Sequence, residues 1–433
     1  MTTSRSRIRL AEIGLLCWPA AAAVVGMATI AVARERTLAV GWGDLRQALL
    51  LAAFLFAVSL SWTLAGFDGD QAVFPIVASL SVVGFLMIQR LQPDLAARYL
   101  GVDKIAQRHS LYLGAGLLVM SLAAAYFRQW ALLRRYKYTL LAVCIALLCA
   151  TLVFGVPING ARLWIAVGPF QAQPSELIKI GLVLFLAAYL DDKKELIGST
   201  WAVGPFRLPP IPYLLPMVLM WGTSLLVLVV ENDLGSAMLL FGIFLVMMYV
   251  ATGRLIYVAT GLVAFTAACW VAYQLFFRIG VRAQNWLDPW RDPVFGGFQQ
   301  IQSEYAMAAG GVFGQGLGRG QPWRIPAVQT DYIFSAVGEE LGLLGTLAVL
   351  SLFFLLVARG FSIALRSQDG YLRLVAIGLT TTIALQAVII MGGVIRLIPL
   401  TGVTLPFVSY GGSSLLTNFL IVGLLLNISR KRT

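Results

Sequence analysis

Apolar runs long enough to cross a lipid bilayer decide what this 433-residue chain can fold into. A hydrocarbon core about 30 Å thick takes about 20 consecutive apolar residues in an α-helix. Lipid offers no partners to backbone N–H and C=O groups, and a helix satisfies them within itself. Such runs stand at about 11–33, 46–66, 71–89, 109–127, 136–155, 174–190, 210–230, 233–250, 254–278, 332–357, 373–396 and 404–428. The expected fold is an all-α polytopic membrane protein with about 12 transmembrane helices. Charged residues make up only 12% of the chain, against roughly 25% in a soluble domain. The first run follows Arg5, Arg7 and Arg9, is too long for a signal-peptide core, and is expected to stay as a helix.

An even number of spans puts both termini on one side. Arg5, Arg7 and Arg9 at one end and Arg430, Lys431 and Arg432 at the other place that side in the cytoplasm. The loops carrying Arg128, Arg134, Arg135 and Lys137, and Arg359, Arg366 and Arg373, agree. The segment with Arg90, Arg98, Lys104 and Arg108 runs against this orientation. The net charge of +12 fits basic flanks on anionic lipid and gives no reason to expect nucleic acid. Cys17, Cys144, Cys149 and Cys269 all lie in apolar runs, so no disulfide and no thiolate metal site is expected. The single His109 excludes a multi-histidine cluster.

On this topology the 156–173 loop, the 231–232 turn and a long insert at 279–331 face outward. Loops of that length are usually functional or disordered. Trp286, Trp290 and Trp323 argue for an ordered insert at the headgroup level. Its tail, Gly310 to Gly320, is rich in glycine and leads through Thr330 and Asp331 into an apolar helix. Thr330 reads as the cap of that helix, with Asp331 in its first turn near the positive end of the helix dipole.

Ionisable residues within or beside spans are costly in lipid and mark sites or buried pairs. Glu176 and Lys179, in the Pro-Ser-Glu-Leu-Ile-Lys run that opens the sixth span, share a helix face at i, i+3. Asp233 opens the eighth span. Glu339 and Glu340 are about 100° apart around one helix, so one can face a cavity while the other faces a neighbouring helix. Arg162 sits in an outward loop, where a guanidinium fork suits phosphate, and His109 follows Arg108 at a span edge, where a surface histidine is expected. Taken singly, each has a plain structural reading: cap, self-neutralising pair, polar packing or solvated cation. Together they put charges at the outer ends of several helices. A cavity with an apolar flank and a charged floor suits a substrate with a greasy tail and a phosphate-bearing head. The residues alone leave an enzyme and a carrier open. The stretch from Pro399 to Ser414 is a Pro/Gly-broken entry to the last span, tolerated where protein buries it or where it lines a cavity.

Seven segments carry a resemblance. NGARLW at 159–164, QPSELIK at 173–179, NDLGSA at 232–237, GGVFGQGLG at 310–318, TDYIF at 330–334, GEELGLLG at 338–345 and PLTGVTLPFVSYGGSS at 399–414 stand in the order found in the SEDS family. These are the RodA/FtsW-type proteins of shape, elongation, division and sporulation. The resemblance covers about residue 90 to the C-terminus. It divides the chain into N-terminal spans at 1–89, the first two an apparent addition to the family's ten-helix core, and a SEDS-like polymerase core at 90–433 that includes the outer loop 279–331. Arg108 resembles the arginine of the family's Arg-Gln pair, with His109 in place of Gln. The family typically reads Leu-Pro-Glu-Ala-His-Thr-Asp before its acidic residue, whereas this chain reads Ile325-Pro-Ala-Val-Gln-Thr-Asp331.

The resemblance implies a peptidoglycan glycosyltransferase that polymerises lipid II at the outer face of the cytoplasmic membrane, in elongation or division. It places the essential carboxylate at Asp331. The rival expectation is a lipid II flippase. Substrate contacts are expected from Arg108, Arg162, Glu176, Lys179, Asp233 and Glu339. No cofactor is demanded; a divalent cation, magnesium or manganese, can share the pyrophosphate with Arg108, Arg162 and Lys179. The implied partner is a class B penicillin-binding protein, the transpeptidase that cross-links the strand.

Overall fold

The computed structural model describes residues 9–35, 40–99, 102–158, 161–167, 170–198, 201–203, 206–208, 218, 222 and 233–430. In chain order the helices are α1 (Leu10–Glu35), α2 (Trp42–Leu64), α3 (Val73–Ala96), α4 (Ile105–Tyr126), α5 (Trp130–Arg135), α6 (Lys137–Phe154) and α7 (Pro174–Gly198). They continue as α8 (Leu234–Thr252), α9 (Leu255–Leu275), α10 (Phe277–Leu287), α11 (Phe298–Gly310), α12 (Ile333–Arg366), α13 (Gly370–Val394) and α14 (Gly412–Ile428). Among the described residues, nine helices are long and apolar enough to cross a membrane. Every expected span except that at 210–230 has its helix here; that one and the 231–232 turn lie outside the described residues. The short strands β1 (Val156–Ile158), β2 (Ala161–Val167) and β3 (Phe170–Ala172) form an antiparallel ribbon in the segment ahead of α7.

The chain divides into two compact units. One comprises Met1–Phe127, Val281–Arg359 and Gln386–Thr433; the other comprises Arg128–Gly280 and Gly360–Leu385.

In the first unit, helices approach closely where glycine removes the side chain. A Cβ on Gly116 of α4 would lie 2.2 Å from the Phe419 ring of α14, and one on Gly423 would lie 2.7 Å from the Met120 carbonyl. Small residues at crossings are the usual packing device where lipid supplies no hydrophobic drive. The Pro/Gly entry to α14 is laid on α3: a Cβ on Gly84 would fall 2.5 Å from the Val408 carbonyl. The expected N-terminal addition is fastened by a buried cation. Arg9, 1% exposed, donates to the Phe67 and Gly69 carbonyls at 2.9 and 3.0 Å and to Glu12 at 2.5 Å. Glu12 also accepts from Ser59 of α2 at 2.6 Å.

In the second unit, α6 and α7 meet where a Cβ on Gly181 would lie 2.3 Å from the Cys144 sulfur. At one end of α7, Asp191 takes an ion pair from Arg134 of α5 at 2.8 Å, and Asp192 pairs with Arg134 and Lys137.

One helix departs from the expected run. α12 is broken at Gly342, which takes φ 67 and ψ −164. The break strips intrahelical partners from the carbonyls of Glu339 and Glu340 and the amides of Leu343 and Leu344. The glycine-rich tail of the insert supplies them. Gln315 and Gly316 donate to the Glu339 and Glu340 carbonyls at 2.9 and 3.0 Å, and Leu343 and Leu344 donate to the Gly311 and Val312 carbonyls at 2.9 and 3.1 Å. A broken membrane helix is stable only where something restores such groups. Gly314 has to be glycine here: at φ +84 its Cβ would lie 2.2 Å from the Glu340 carbonyl.

Candidate active site

Asp331 stands two residues ahead of α12, in a run of turns that begins at Pro326. Ala327, in the left-handed region at φ 54, sets this turn. Its carbonyl accepts the amides of Thr330 and Asp331 at 3.1 and 3.2 Å and lies 3.0 Å from the Thr330 hydroxyl. That hydroxyl points back toward Ala327 and the Asp331 carboxyl. The expectation that Thr330 caps α12 is therefore corrected, and Asp331 sits before the helix rather than in its first turn.

A strap holds the segment from the other side. Tyr410 donates its amide to the Gln329 carbonyl at 2.8 Å, and the Ser409 hydroxyl donates to the Thr330 carbonyl at 2.5 Å. Ser409 in turn accepts the Leu405 amide at 2.9 Å. Between them the buried Phe407 takes φ 65. A left-handed non-glycine residue costs about 1–2 kcal/mol. Such strain persists where surroundings over-determine the backbone, and it clusters at working sites. Ala327 and Phe407 thus bracket the stretch that presents Asp331.

Asp331 lies in a recess, partly open yet closely surrounded by protein. Burial pushes its carboxyl up from the ordinary 3.8 to about 6, against the opposing pull of the Thr330 hydroxyl and the Arg282 charge. A carboxylate titrating near neutrality is a far better proton acceptor than an ordinary aspartate.

Arg108, exposed on α4, reaches the Tyr410 hydroxyl by hydrogen bond, and its charge offsets part of the rise that burial imposes on that phenol. His109 is not the surface residue that its place beside Arg108 suggests. It is 1% exposed, and its ring lies 6.2 Å from that of Tyr410. The Tyr112 ring lies 6.3 Å from Tyr410 on the same helix side. Arg108 and Asp331 are therefore joined through one short segment, 409–410.

Glu339 and Glu340 part company as their angular separation requires. Glu340, fully buried, accepts from Arg90 Nε of α3 at 2.9 Å and from the Gly318 amide at 3.0 Å. Arg90 also donates to the Gly320 carbonyl at 2.9 Å and pairs with Asp94. Glu339 accepts the Gln321 amide at 2.6 Å and lines a pocket. Arg90 and Arg98, which ran against the charge rule for orientation, are engaged in protein contacts: Arg98 lies 3.4 Å from the centre of the Trp323 ring.

The remaining expected residues belong to the second unit. Lys179 and Glu176 pair at 2.7 Å with 1% and 7% exposure, the i, i+3 partnership anticipated from their spacing. Asp233 caps α8, accepting the Ser236 amide at 3.0 Å. Arg162 lies on β2, and its side chain is outside the described residues. Among the described residues no three His, Cys, Asp or Glu side chains gather as a metal-ligand set.

Sequence reasoning missed Arg282 and Tyr410 beside the carboxylate and Arg90 behind the glycine-rich tail. Tyr410 lay within a noticed motif, but nothing local says that a tyrosine 79 residues past Asp331 will hold the strap.

The FtsW/RodA/SpoVE family, described as a cell cycle protein, matches residues 71–433. Peptidoglycan glycosyltransferase RodA of Mycobacterium tuberculosis is 37% identical over 427 residues, which cover 97% of this chain and 90% of that protein. A chain from a structure of a peptidoglycan synthase complex, described as coordinating polymerization and crosslinking, superposes with TM-score 0.69 at 31% identity, covering 84% of this chain and 98% of that one. The crystal structure of the rod shape determining protein RodA of Thermus thermophilus superposes with TM-score 0.60 at 28% identity, over 84% and 99%.

Proposed function

This chain belongs to the SEDS family of RodA/FtsW-type proteins, and on that premise we propose that it polymerises lipid II with Asp331 as general base. It is a multi-pass membrane protein and a peptidoglycan glycosyltransferase. The single observation that carries the mechanism is the recessed carboxyl of Asp331, held by two strained turns and titrating at about 6.

Chain growth joins the 4-hydroxyl of one lipid-linked disaccharide to the anomeric carbon of the growing strand, and the lipid pyrophosphate leaves. The new C–O bond forms as the C–O bond to pyrophosphate breaks. The hydroxyl proton goes to Asp331. Pyrophosphate leaves as a stabilised anion, so one carboxylate suffices where glycoside hydrolysis uses two. A positioned base contributes roughly 10²–10⁴ in rate. Arg108, exposed and anchored through Tyr410, is a cation for the pyrophosphate. The acidic recess belongs, in this reading, on the outer face of the cytoplasmic membrane, with both termini inside. The chain works with a class B penicillin-binding protein that cross-links its product. That pairing is supported by the likeness to a chain of a peptidoglycan synthase complex.

The test is conversion of labelled lipid II by the purified chain with its transpeptidase. A ladder of glycan products is the expected result. Movement of lipid II between leaflets with no polymer formed would overturn the reading.

A further inference from the structure

The pocket behind the glycine-rich tail has no part in the mechanism above. It has a volume of about 440 Å³, within the range that holds a small organic ligand. Its lining includes Gln302, Tyr305, Arg319, Gln321, Arg324 and Glu339. These polar and cationic groups stand among small apolar surfaces at Ala306, Ala309 and Ile325, a lining that suits a polar ligand with apolar faces better than a lipid tail. Tyr305 is 54% exposed and meets the half-exposed Trp290 edge-on at 5.9 Å, giving the rim an aromatic face. Arg324 stacks beside Trp323 at 5.5 Å.

We propose that this pocket is a subsite for an amino-sugar strand that carries carboxylates, and that it holds the growing glycan beside the reacting end. The proposal rests on the polymerase reading and names a further part of its substrate path. Sugar rings pack their C–H faces on aromatic rings and exchange hydrogen bonds with side-chain amides. Arg319 and Arg324 offer forked donors to a carboxylate on a peptide stem. Glu339, which already accepts the Gln321 amide, supplies an acceptor for a sugar hydroxyl. Pyrophosphate would match Arg319 and Arg324 but brings no donor for the Glu339 carboxylate or the amide oxygens, whereas sugar hydroxyls and amides do.

The chain that lines the pocket also leads to the base. From Ile325 to Asp331 is six residues, so the pocket wall lies no more than about 20 Å of chain from the reacting carboxylate. Gly320, part of the lining, packs closely against both glutamates. A Cβ on Gly320 would lie 3.2 Å from the Glu339 carboxyl carbon and 3.0 Å from Glu340 Cγ. The buried Arg90 donates to the Gly320 carbonyl.

The experiment titrates the full-length purified protein with a soluble disaccharide-pentapeptide that lacks lipid and pyrophosphate. The wild type is expected to bind it. Arg319→Ala with Arg324→Ala is expected to weaken binding at least about tenfold, since charge-assisted hydrogen bonds are lost. The corresponding double change to Lys keeps the cations and should recover part of the affinity. Tyr305→Ala should weaken binding of both the full fragment and a disaccharide whose stem carboxylates are amidated. Both alanine variants are expected to release shorter glycan from lipid II. Thermal midpoints matched to wild type keep misfolding apart from loss of the site. Equal fragment affinity in wild type and variants overturns the proposal, as does direct binding of inorganic pyrophosphate that depends on Arg319 and Arg324 while the fragment fails to bind. Failure of the polymerase reading looks different: the wild type itself then makes no polymer.

Discussion

Arg90 of α3 donates through Nε to Glu340 of α12 at 2.9 Å, across 250 residues of sequence. The same guanidinium bonds the Gly320 carbonyl, and the same carboxylate accepts the Gly318 amide. One buried ion pair therefore clips the glycine-rich tail onto the break in α12. Removing one partner leaves an uncompensated buried charge, which costs about 3–5 kcal/mol. Arg90→Ala and Glu340→Ala are each expected to lower stability in detergent by that order. The double change Arg90→Met with Glu340→Leu should recover much of it. A single variant whose thermal midpoint matches the wild type would mean that the pair does not hold the tail.

The glycines of the tail are not equivalent. Gly314→Ala puts a methyl 2.2 Å from the Glu340 carbonyl, where backbone rather than a flexible side chain must move. Gly311 has a similar positive φ, +53, but nothing lies within 4 Å of its added Cβ. At φ 53 and ψ −142, Gly311→Ala should cost backbone strain alone, about 1–3 kcal/mol. Gly314→Ala should cost more and expose the tail to protease. Equal losses in the two variants would show that the tail is not pressed onto α12.

The raised pKa of Asp331 sets opposite pH trends for stability and rate. Its value moves from 3.8 toward about 6 on folding, so between those values the folded state holds more protons than the unfolded state. Its contribution to stability is therefore fully present below about pH 4 and is lost as pH rises through 6. The rate follows the ionised form and rises through the same window. Initial rates on lipid II from pH 5 to 8 should show an acid limb centred near 6. A profile that stays flat down to pH 5 would show an ordinary aspartate and remove the recess from the mechanism.

The membrane fold was legible because its signal is local. A run such as Leu234–Thr252 is apolar on every side, and that pattern has one solution in lipid. The Glu176–Lys179 pair and the Asp233 cap were legible for the same reason, since i, i+3 spacing and a helix start are read over a few residues. The break at Gly342 was not. A glycine within an apolar run is ordinary, and the partners that make this break tolerable come from residues 311–316 of another segment. His109 was misplaced because its neighbour Arg108 is exposed, while one position along the helix turns the side chain by about 100° into the packed face. Arg90 reads as an orientation charge until Glu340 is brought to it.

Asp331→Asn separates a base from a residue that only shapes its turn. Asn keeps the size and can still accept the Thr330 hydroxyl, but it takes no proton from a substrate. A base lost in this way should lower polymerisation by about two to four orders of magnitude. Stability should move the other way. At pH 7.5 the wild-type carboxyl is ionised in a recess that disfavours its charge, and Asn removes that cost, so the variant's thermal midpoint should match or exceed the wild type's. Asp233→Asn is the control. Asp233 caps α8 through the Ser236 amide, a task that Asn performs about as well, so its rate loss should be much smaller. The measurement is initial rate on lipid II at matched protein and matched complex yield, with thermal midpoints taken alongside. A slower Asp331→Asn enzyme that is also less stable would point to a structural carboxylate. Near-normal polymerisation by that variant would end the assignment of the base while leaving the glycosyltransferase itself in place.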